Sequence, residues 1–123
     1  MNHFIVFLNN TINKHLNSIG LKGGYANGYV AIFKNHPYYG KSYDEIDINV
    51  HGGLTFSESG DKTKELFKDI EWIEGDIKEL NKDWWIFGFD TCHYMDSLEN
   101  WPKEAVIAET INLKKQLEGT IIT

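Results

Sequence analysis

The chain has 123 residues, of which 41% are hydrophobic and 24% are charged, a composition typical of one globular domain with a compact core. Twelve basic and 18 acidic side chains give a formal charge of −6, which argues against a partner held through many phosphates, such as duplex nucleic acid. We expect a single α+β domain over residues 1–123, with a small, mainly antiparallel sheet covered by N-terminal and C-terminal helices.

Cysteine usage and the apolar runs bear on where the protein is found. Cys92 is the only cysteine, so an internal disulfide is excluded and nothing points to an oxidising compartment. The apolar run at residues 4–8 is too short for a signal sequence or a membrane span. We therefore expect a cytoplasmic protein that does not associate with a membrane.

The first predicted element is an amphipathic helix within residues 4–19, because its apolar residues recur at intervals of three and four and Gly20 follows it. Apolar runs predict strands at residues 29–33, 46–50 and 84–89, and a further strand continues over residues 54–56.

The remaining elements are less regular in sequence. Residues 57–83 read as a short helix or irregular cover with a turn at residues 74–76. Pro102 and Gly119 bracket a final helix, and residues 120–123 read as a terminal strand or a dimer contact.

Two polar clusters follow apolar strand patterns and are the main candidates for a site. His51 is followed by Gly52 and Gly53, and the strand at residues 84–89 leads directly into Asp90 and His93. Strand ends present reactive side chains on a rigid base. Among the loop carboxylates, which are usually only solvated, we keep Asp90 and, with less weight, Asp96.

One hypothesis for these clusters is a metal site formed by His51, Asp90 and His93, since two imidazoles and a carboxylate with an open position suit zinc or iron. The alternative, which the sequence favours, is a hydrogen-bonded site without metal. Whether any cofactor is present stays open, with a divalent metal as the candidate.

A second hypothesis is catalytic: His51 or His93 acts as a general base, and Asp90 fixes its tautomer, in a phosphodiester or glycosidic hydrolase. The competing interpretation is that His93 caps the loop and Asp90 accepts backbone N–H groups there. Cys92 as a nucleophile is less favoured, because nothing in the sequence indicates a lowered thiol pKa.

A third candidate is the tyrosine-rich loop at residues 35–44. Tyr38, Tyr39 and Tyr43 can stack on a base or sugar while Lys41 meets a phosphate, as in the wall or lid of a nucleotide pocket. A rigid proline turn with solvent-facing tyrosines is the alternative.

Several short motifs occur in order within residues 28–96: Gly28-Tyr29-Val30, His36-Pro37-Tyr38-Tyr39-Gly40, Tyr43-Asp44, Val50-His51-Gly52-Gly53-Leu54-Thr55, and Gly88-Phe89-Asp90 through His93. Together they resemble a group of small uncharacterised proteins of phages and bacterial prophages. The resemblance implies a phage setting, with the host cytoplasm as location, and makes an anti-defence role an expectation by analogy with phage proteins that sequester nucleotide immune signals.

The leading functional hypothesis is a small homo-oligomeric protein that sequesters a nucleotide-derived ligand. Its expected ligand-binding residues are the following: Tyr38, Tyr39, Lys41, Tyr43, His51, Gly52, Gly53, Asp90 and His93. The alternatives are the hydrolase, with His51, His93 and Asp90 as catalytic residues, and an inhibitor that binds a host protein through exposed aromatic side chains.

Overall fold

The computed structural model describes residues 4–75 and 80–122. It contains five strands, β1 (Phe4–Asn9), β2 (Asn27–Phe33), β3 (Phe56–Ser59), β4 (Ile70–Glu74) and β5 (Trp84–Phe89), and three helices, α1 (Thr11–Ser18), α2 (Thr63–Leu66) and α3 (Lys103–Ile122). Short 3₁₀ turns lie at Tyr43–Glu45 and Gly60–Lys62.

All five strands form one antiparallel sheet in the order β3-β5-β2-β1-β4. The expected α+β class with a small antiparallel sheet and a C-terminal helix is therefore confirmed. β3 and β4 are the two edge strands, so the chain between them, residues 60–69, runs from one edge of the sheet to the other. Within the described residues no helix is long and apolar enough to cross a bilayer.

One face of the sheet is covered by α3 and by residues 46–54. Val106, Leu113 and Leu117 of α3 are fully buried and pack in one cluster with alternate residues of the three inner strands, such as Val30 and Phe87. Burying each leucine stabilises the fold by about 1.5–3 kcal/mol. This packing fixes α3, which in turn anchors the turn carrying His51.

The opposite face carries Ile5, Phe7, Tyr29 and Ile86, which are also buried. Phe67, just after α2, lies against this face, with its ring centroid 5.3 Å from that of Phe7 and 4.7 Å from that of Tyr29. The inner strands are therefore covered on both sides.

Burial on both faces explains why the helix predicted over residues 4–19 is half wrong. Residues 4–9 form β1, buried along its whole length, and only Thr11–Ser18 is helical. A continuous apolar run is typical of a strand covered on both faces, and its spacing alone does not separate it from a buried helix.

The strand predicted at residues 46–50 does not form. Asn49 instead bonds to two side chains of α3: its N–H donates to Gln116 Oε1 at 2.9 Å, and its carbonyl accepts from Gln116 Nε2 at 2.8 Å and Asn112 Nδ2 at 3.3 Å. Because the edge of β5 is already paired with β3, this segment satisfies its backbone on the helix.

Two further differences concern the second half of the chain. Residues 57–83 contain a short helix, α2, as predicted, but also the end of β3 and the whole of β4, which the prediction lacks. Of the turn predicted at residues 74–76, Gly75 has φ +83°, and residue 76 lies outside the described residues. Residues 120–122 belong to α3 rather than to a terminal strand, and Thr123 lies outside the described part.

Candidate functional site

The structure brings the two predicted polar clusters together. The imidazole rings of His51 and His93 lie 5.4 Å apart, centroid to centroid, in an edge-to-face arrangement. Asp90 and Asp96 flank them, each with a carboxylate oxygen within 3.2 Å of an imidazole nitrogen. Two histidines from separate segments thus share one site with two carboxylates.

The loop after β5 is held in place by buried polar contacts. Thr91 is fully buried; its hydroxyl donates to the carbonyl of Ala26 at 2.7 Å, and its N–H donates to Asn27 Oδ1 at 3.0 Å. Asn13 of α1 adds a hydrogen bond from its Nδ2 to the Thr91 hydroxyl at 3.2 Å. Buried polar groups hydrogen-bonded in this way hold one geometry, so the loop leaves β5 in a defined direction.

The turn carrying His51 is anchored on α3. The His51 N–H donates to Glu109 Oε2 at 2.8 Å, and Gly53 N–H closes the turn on the Val50 carbonyl at 2.8 Å. The His51 ring lies against Trp101, with 4.2 Å between ring centroids. Backbone and ring are therefore both fixed before any ligand is present.

Asp96 joins the two histidines. Its side chain is buried, with 4% of the residue exposed. Oδ1 lies 2.9 Å from His51 Nε2, and Oδ2 accepts the backbone N–H of His93 at 2.9 Å. Asp96 carries less weight than Asp90 in the sequence analysis; the available signal is its position three residues after His93, where a carboxylate can accept a backbone N–H.

Asp90 is placed differently from the expectation that it fixes a histidine tautomer. Its Oδ1 accepts the N–H of Cys92 at 3.0 Å and lies 3.2 Å from His93 Nε2. That distance fits an ion pair, but the angles do not fit a hydrogen bond, and His93 Nε2 is buried without a hydrogen-bond partner among the described residues. The tautomer that is fixed by a carboxylate is that of His51, through Asp96.

Gly52 makes the close approach of the turn to His93 possible. A Cβ at this position would lie 2.3 Å from His93 Nε2, which no side chain tolerates. Its φ of +69° is also a left-handed conformation that glycine adopts at low cost. The glycine therefore lets the backbone close over the imidazole.

Cys92 is not set up as a nucleophile. Burial, together with the nearby carboxylates of Asp90 and Asp96, raises the pKa of its thiol to about 11. Since the thiolate is the reactive form, the thiol stays protonated and unreactive near neutral pH.

The tyrosine loop lies elsewhere, beside the beginning of β5. The Tyr39 hydroxyl donates to the carbonyl of Lys82, Trp85 Nε1 donates to the carbonyl of Lys41 at 2.7 Å, and Tyr43 N–H donates to Ser57 Oγ at 3.0 Å. Strands rise about 3.4 Å per residue, so the contact between Trp85 and Lys41 lies about 17 Å along β5 from Asp90. Tyr43 lies about 10 Å from Asp90 along the strand, because Ser57 pairs with Phe87.

Two further residues of that loop, His36 and Tyr38, pack inward. Tyr38 packs against the cluster under α3, and its N–H donates to Nδ1 of the buried His36 at 2.9 Å. The expected ligand residues Tyr38, Tyr39, Lys41 and Tyr43 are therefore not brought to His51 and His93.

A cleft of about 540 Å³ opens beside the histidines and is lined mainly by the loop after β5. His93 and Asp96 line it, with Lys22, Tyr94 and Asn100 also on its walls. Tyr94 is 94% exposed. The volume lies within the range of about 300–1,000 Å³ that is usual for small-molecule sites.

Comparison with protein-family models, curated proteins and solved structures finds no match to this chain. The geometry of the site therefore carries the functional argument.

Proposed function

We propose that the protein binds a small nucleotide-derived ligand in the cleft beside His93, and that it sequesters this ligand. The observation that carries the proposal is the cleft itself, about 540 Å³ in volume and bordered by the His51, His93 and Asp96 network. A volume of this size suits a nucleotide-like molecule.

The lining of the cleft supports this ligand class. Lys22 supplies an ammonium group for a phosphate, the exposed ring of Tyr94 supplies a stacking surface for a base, and His93 adds an imidazole. Stacking on an exposed aromatic ring contributes about 1–3 kcal/mol per base. Lys22 and Tyr94 take the roles that the sequence analysis predicts for Lys41 and the tyrosine loop. The proposed pocket therefore includes only the end of the sheet near His51.

The wall of the pocket is organised in advance. Both carboxylate oxygens of Asp96 are hydrogen-bonded, one to the ring of His51 and one to the backbone of His93. A site that is ordered before binding lowers the conformational entropy cost of binding. Sequestration needs affinity but no reaction, and a preorganised wall contributes to affinity.

The test is thermal unfolding and calorimetry of the chelator-treated protein with cyclic and linear nucleotides, followed by mass analysis of each nucleotide. We expect one class to raise the unfolding midpoint and to be recovered intact. His93→Ala and Lys22→Ala should each weaken its binding at least 10-fold, while Lys64→Ala, which changes an exposed lysine on α2, should leave it unchanged. No shift with any nucleotide would contradict the proposal and favour the inhibitor of a host protein.

A second candidate function, hydrolysis of a phosphodiester or glycosidic bond, is favoured by the His51–Asp96 pair. An ionised carboxylate only accepts hydrogen bonds, so the 2.9 Å contact puts the proton on His51 Nε2. His51 Nδ1 then carries a lone pair and has no hydrogen-bond partner in the described part of the chain, as a general base requires. His93, 5.4 Å away ring to ring, would protonate the leaving group.

The two candidates differ in what happens to the ligand. For a hydrolase, the nucleotide or glycoside is recovered cleaved, and His51→Ala abolishes cleavage while affinity is largely retained. For a sequestering protein, the ligand is recovered intact from the unmodified protein and from His51→Ala. The phage setting, the anti-defence role and the homo-oligomer stay predictions beside either function.

A further inference from the structure

Three side chains that commonly bind metals converge beside the cleft, and two of them, His93 and Asp96, line it. His51, His93 and Asp96 each offer one ligand atom, and these atoms all lie within 4.8 Å of one another. Two atoms bound to one tetrahedral zinc ion at about 2.1 Å lie about 3.4 Å apart, so separations between ligand atoms must shorten by up to about 1.4 Å to complete the site. We propose that these three residues bind a divalent transition-metal cation of the zinc type.

The donor set fits this class of cation. Two imidazoles and one carboxylate, with the remaining position open to water or ligand, suit zinc and related metals, whereas calcium and magnesium prefer oxygen ligands alone. This set differs from the one expected from the sequence, because the buried carboxylate of Asp96 replaces that of Asp90.

The second observation is the unpaired nitrogen of His93. Nε2 of this ring is buried and has no hydrogen-bond partner in the described residues. Leaving such a group unpaired costs about 1–3 kcal/mol. A cation bound at the imidazole would remove that cost, since the Asp90 carboxylate, 3.2 Å away, accepts no hydrogen bond from this nitrogen.

The charges around the cluster also favour a cation. Asp90, Asp96 and Glu109 all have carboxylate oxygens within 3.2 Å of atoms of the two histidines. Lys22 is the basic side chain that lines the cleft. The site is therefore locally negative, and a divalent cation offsets this charge.

Surrounding groups hold the proposed ligands in place. The His51 N–H is bonded to Glu109 Oε2 at 2.8 Å, and the His93 N–H is bonded to Asp96 Oδ2 at 2.9 Å. The Trp101 ring lies 4.2 Å from that of His51, centroid to centroid, at a tilt of 37°, and this contact restricts the rotation of His51. Supporting contacts of this kind tune metal affinity by about 10–100-fold.

Metal binding goes beyond the proposed nucleotide binding and stands without it. If both hold, the cation would give a ligand phosphate a positive partner in a cleft that is otherwise acidic. The experiment therefore uses the metal alone, with no nucleotide present.

The test is calorimetric titration of the chelator-stripped protein with ZnCl₂, together with the absorption spectrum of the Co²⁺ form. We expect one ion per chain and visible cobalt bands of a four-coordinate site. His51→Ala and His93→Ala should each weaken zinc binding at least 100-fold, and Asp96→Asn at least 10-fold. The matched control is His15→Ala, which removes an exposed histidine on α1 and should leave the zinc affinity and the cobalt spectrum unchanged.

A readout on the unmodified protein covers variants that fail to fold. In proton NMR, zinc should shift the ring resonances of His51 and His93 but not those of His36, which is bonded to the carbonyl of Leu117. Absence of binding up to millimolar zinc, or zinc affinity in His51→Ala and His93→Ala equal to that of the unmodified protein, would overturn the metal site. Neither result would contradict nucleotide binding by the metal-free protein, which the nucleotide titration tests.

Discussion

His51 and Asp96 are separated by 45 positions in the chain, and a 2.9 Å contact joins His51 Nε2 to Asp96 Oδ1. One residue lies in a turn on α3 and the other in the loop after β5. The contact fixes the two segments relative to each other, and through the second oxygen of Asp96 it also orders the backbone at His93. Both the proposed pocket and the proposed metal site depend on it.

Removing the Asp96 carboxylate should destabilise the protein. Asp96→Ala leaves the His93 N–H and the His51 ring without their acceptor, and we expect a loss of about 2–4 kcal/mol in the free energy of unfolding. Asp96→Asn keeps an oxygen for the His93 N–H and offers an N–H to His51 Nε2, which accepts it once the ring proton moves to Nδ1, and it should cost less than half as much. Urea unfolding measures both, with the exposed Asp61→Ala as control. Equal losses in the two Asp96 variants would contradict the hydrogen-bond account.

Gly52→Ala and Gly53→Ala form a matched pair. Both glycines have positive φ, +69° and +78°, but a Cβ at Gly52 meets His93 Nε2 at 2.3 Å, while a Cβ at Gly53 meets nothing within 4 Å. Gly53→Ala should therefore show only backbone strain, about 1–2 kcal/mol. Gly52→Ala should lose at least about 1 kcal/mol more and should also displace His93. Thermal unfolding measures the difference, and equal stabilities would show that His93 is not held against the turn.

His36 should make stability depend on pH. Burial lowers the pKa of His36 below its ordinary value near 6.5, opposed by its hydrogen bond to Leu117. Both ring nitrogens are satisfied in the neutral form, since Nδ1 accepts from Tyr38 N–H and Nε2 donates to the Leu117 carbonyl. As pH falls, the unfolded chain therefore takes up the proton first, and the stability that is present above pH 6.5 declines.

The slope due to one such group is at most about 1.4 kcal/mol per pH unit. His36→Gln keeps a donor for Leu117 but does not titrate, so its unfolding free energy should fall less steeply between pH 7 and 5. Parallel curves for the two proteins, measured by urea unfolding at several pH values, would show that His36 does not contribute.

The Cys92 thiol should react slowly. Its pKa of about 11, compared with an ordinary 9.0, reduces the thiolate population near neutral pH about 100-fold. Iodoacetamide should accordingly alkylate the folded, metal-free protein at least 100-fold more slowly than the urea-unfolded chain. Equal rates would mean that the thiol is neither buried nor shielded by Asp90 and Asp96.

The elements that the sequence predicts correctly are those with a single structural explanation. The strands near residues 29–33 and 84–89 and the helix after Pro102 carry apolar patterns that fit one element only, and all three are present. β1 is an apolar run of the same kind, but Ile12, Leu16 and Ile19 continue it at helical spacing, so the pattern predicts one long helix. The segment at residues 46–50 alternates like a strand, but its partners are side chains of α3, which no local pattern reveals.

The site shows the same division. Local chemistry pointed to His51, Asp90 and His93, and these residues do lie together. The role of Asp96 depends on its contact with His51, which lies 45 positions away in the chain. The distance between the tyrosine loop and the site depends on the length of β5. Both are properties of the tertiary arrangement, so neither follows from spacing along the chain.

Binding of nucleotides by the chelator-treated protein tests the central claim most directly. The measurement is calorimetric titration of the unmodified chain and of His93→Ala with each nucleotide, followed by mass analysis of the recovered ligand. The account predicts saturable binding of at least one nucleotide class, recovery of that nucleotide intact, and at least 10-fold weaker binding by His93→Ala. Absence of binding, or equal affinity in His93→Ala, would contradict it.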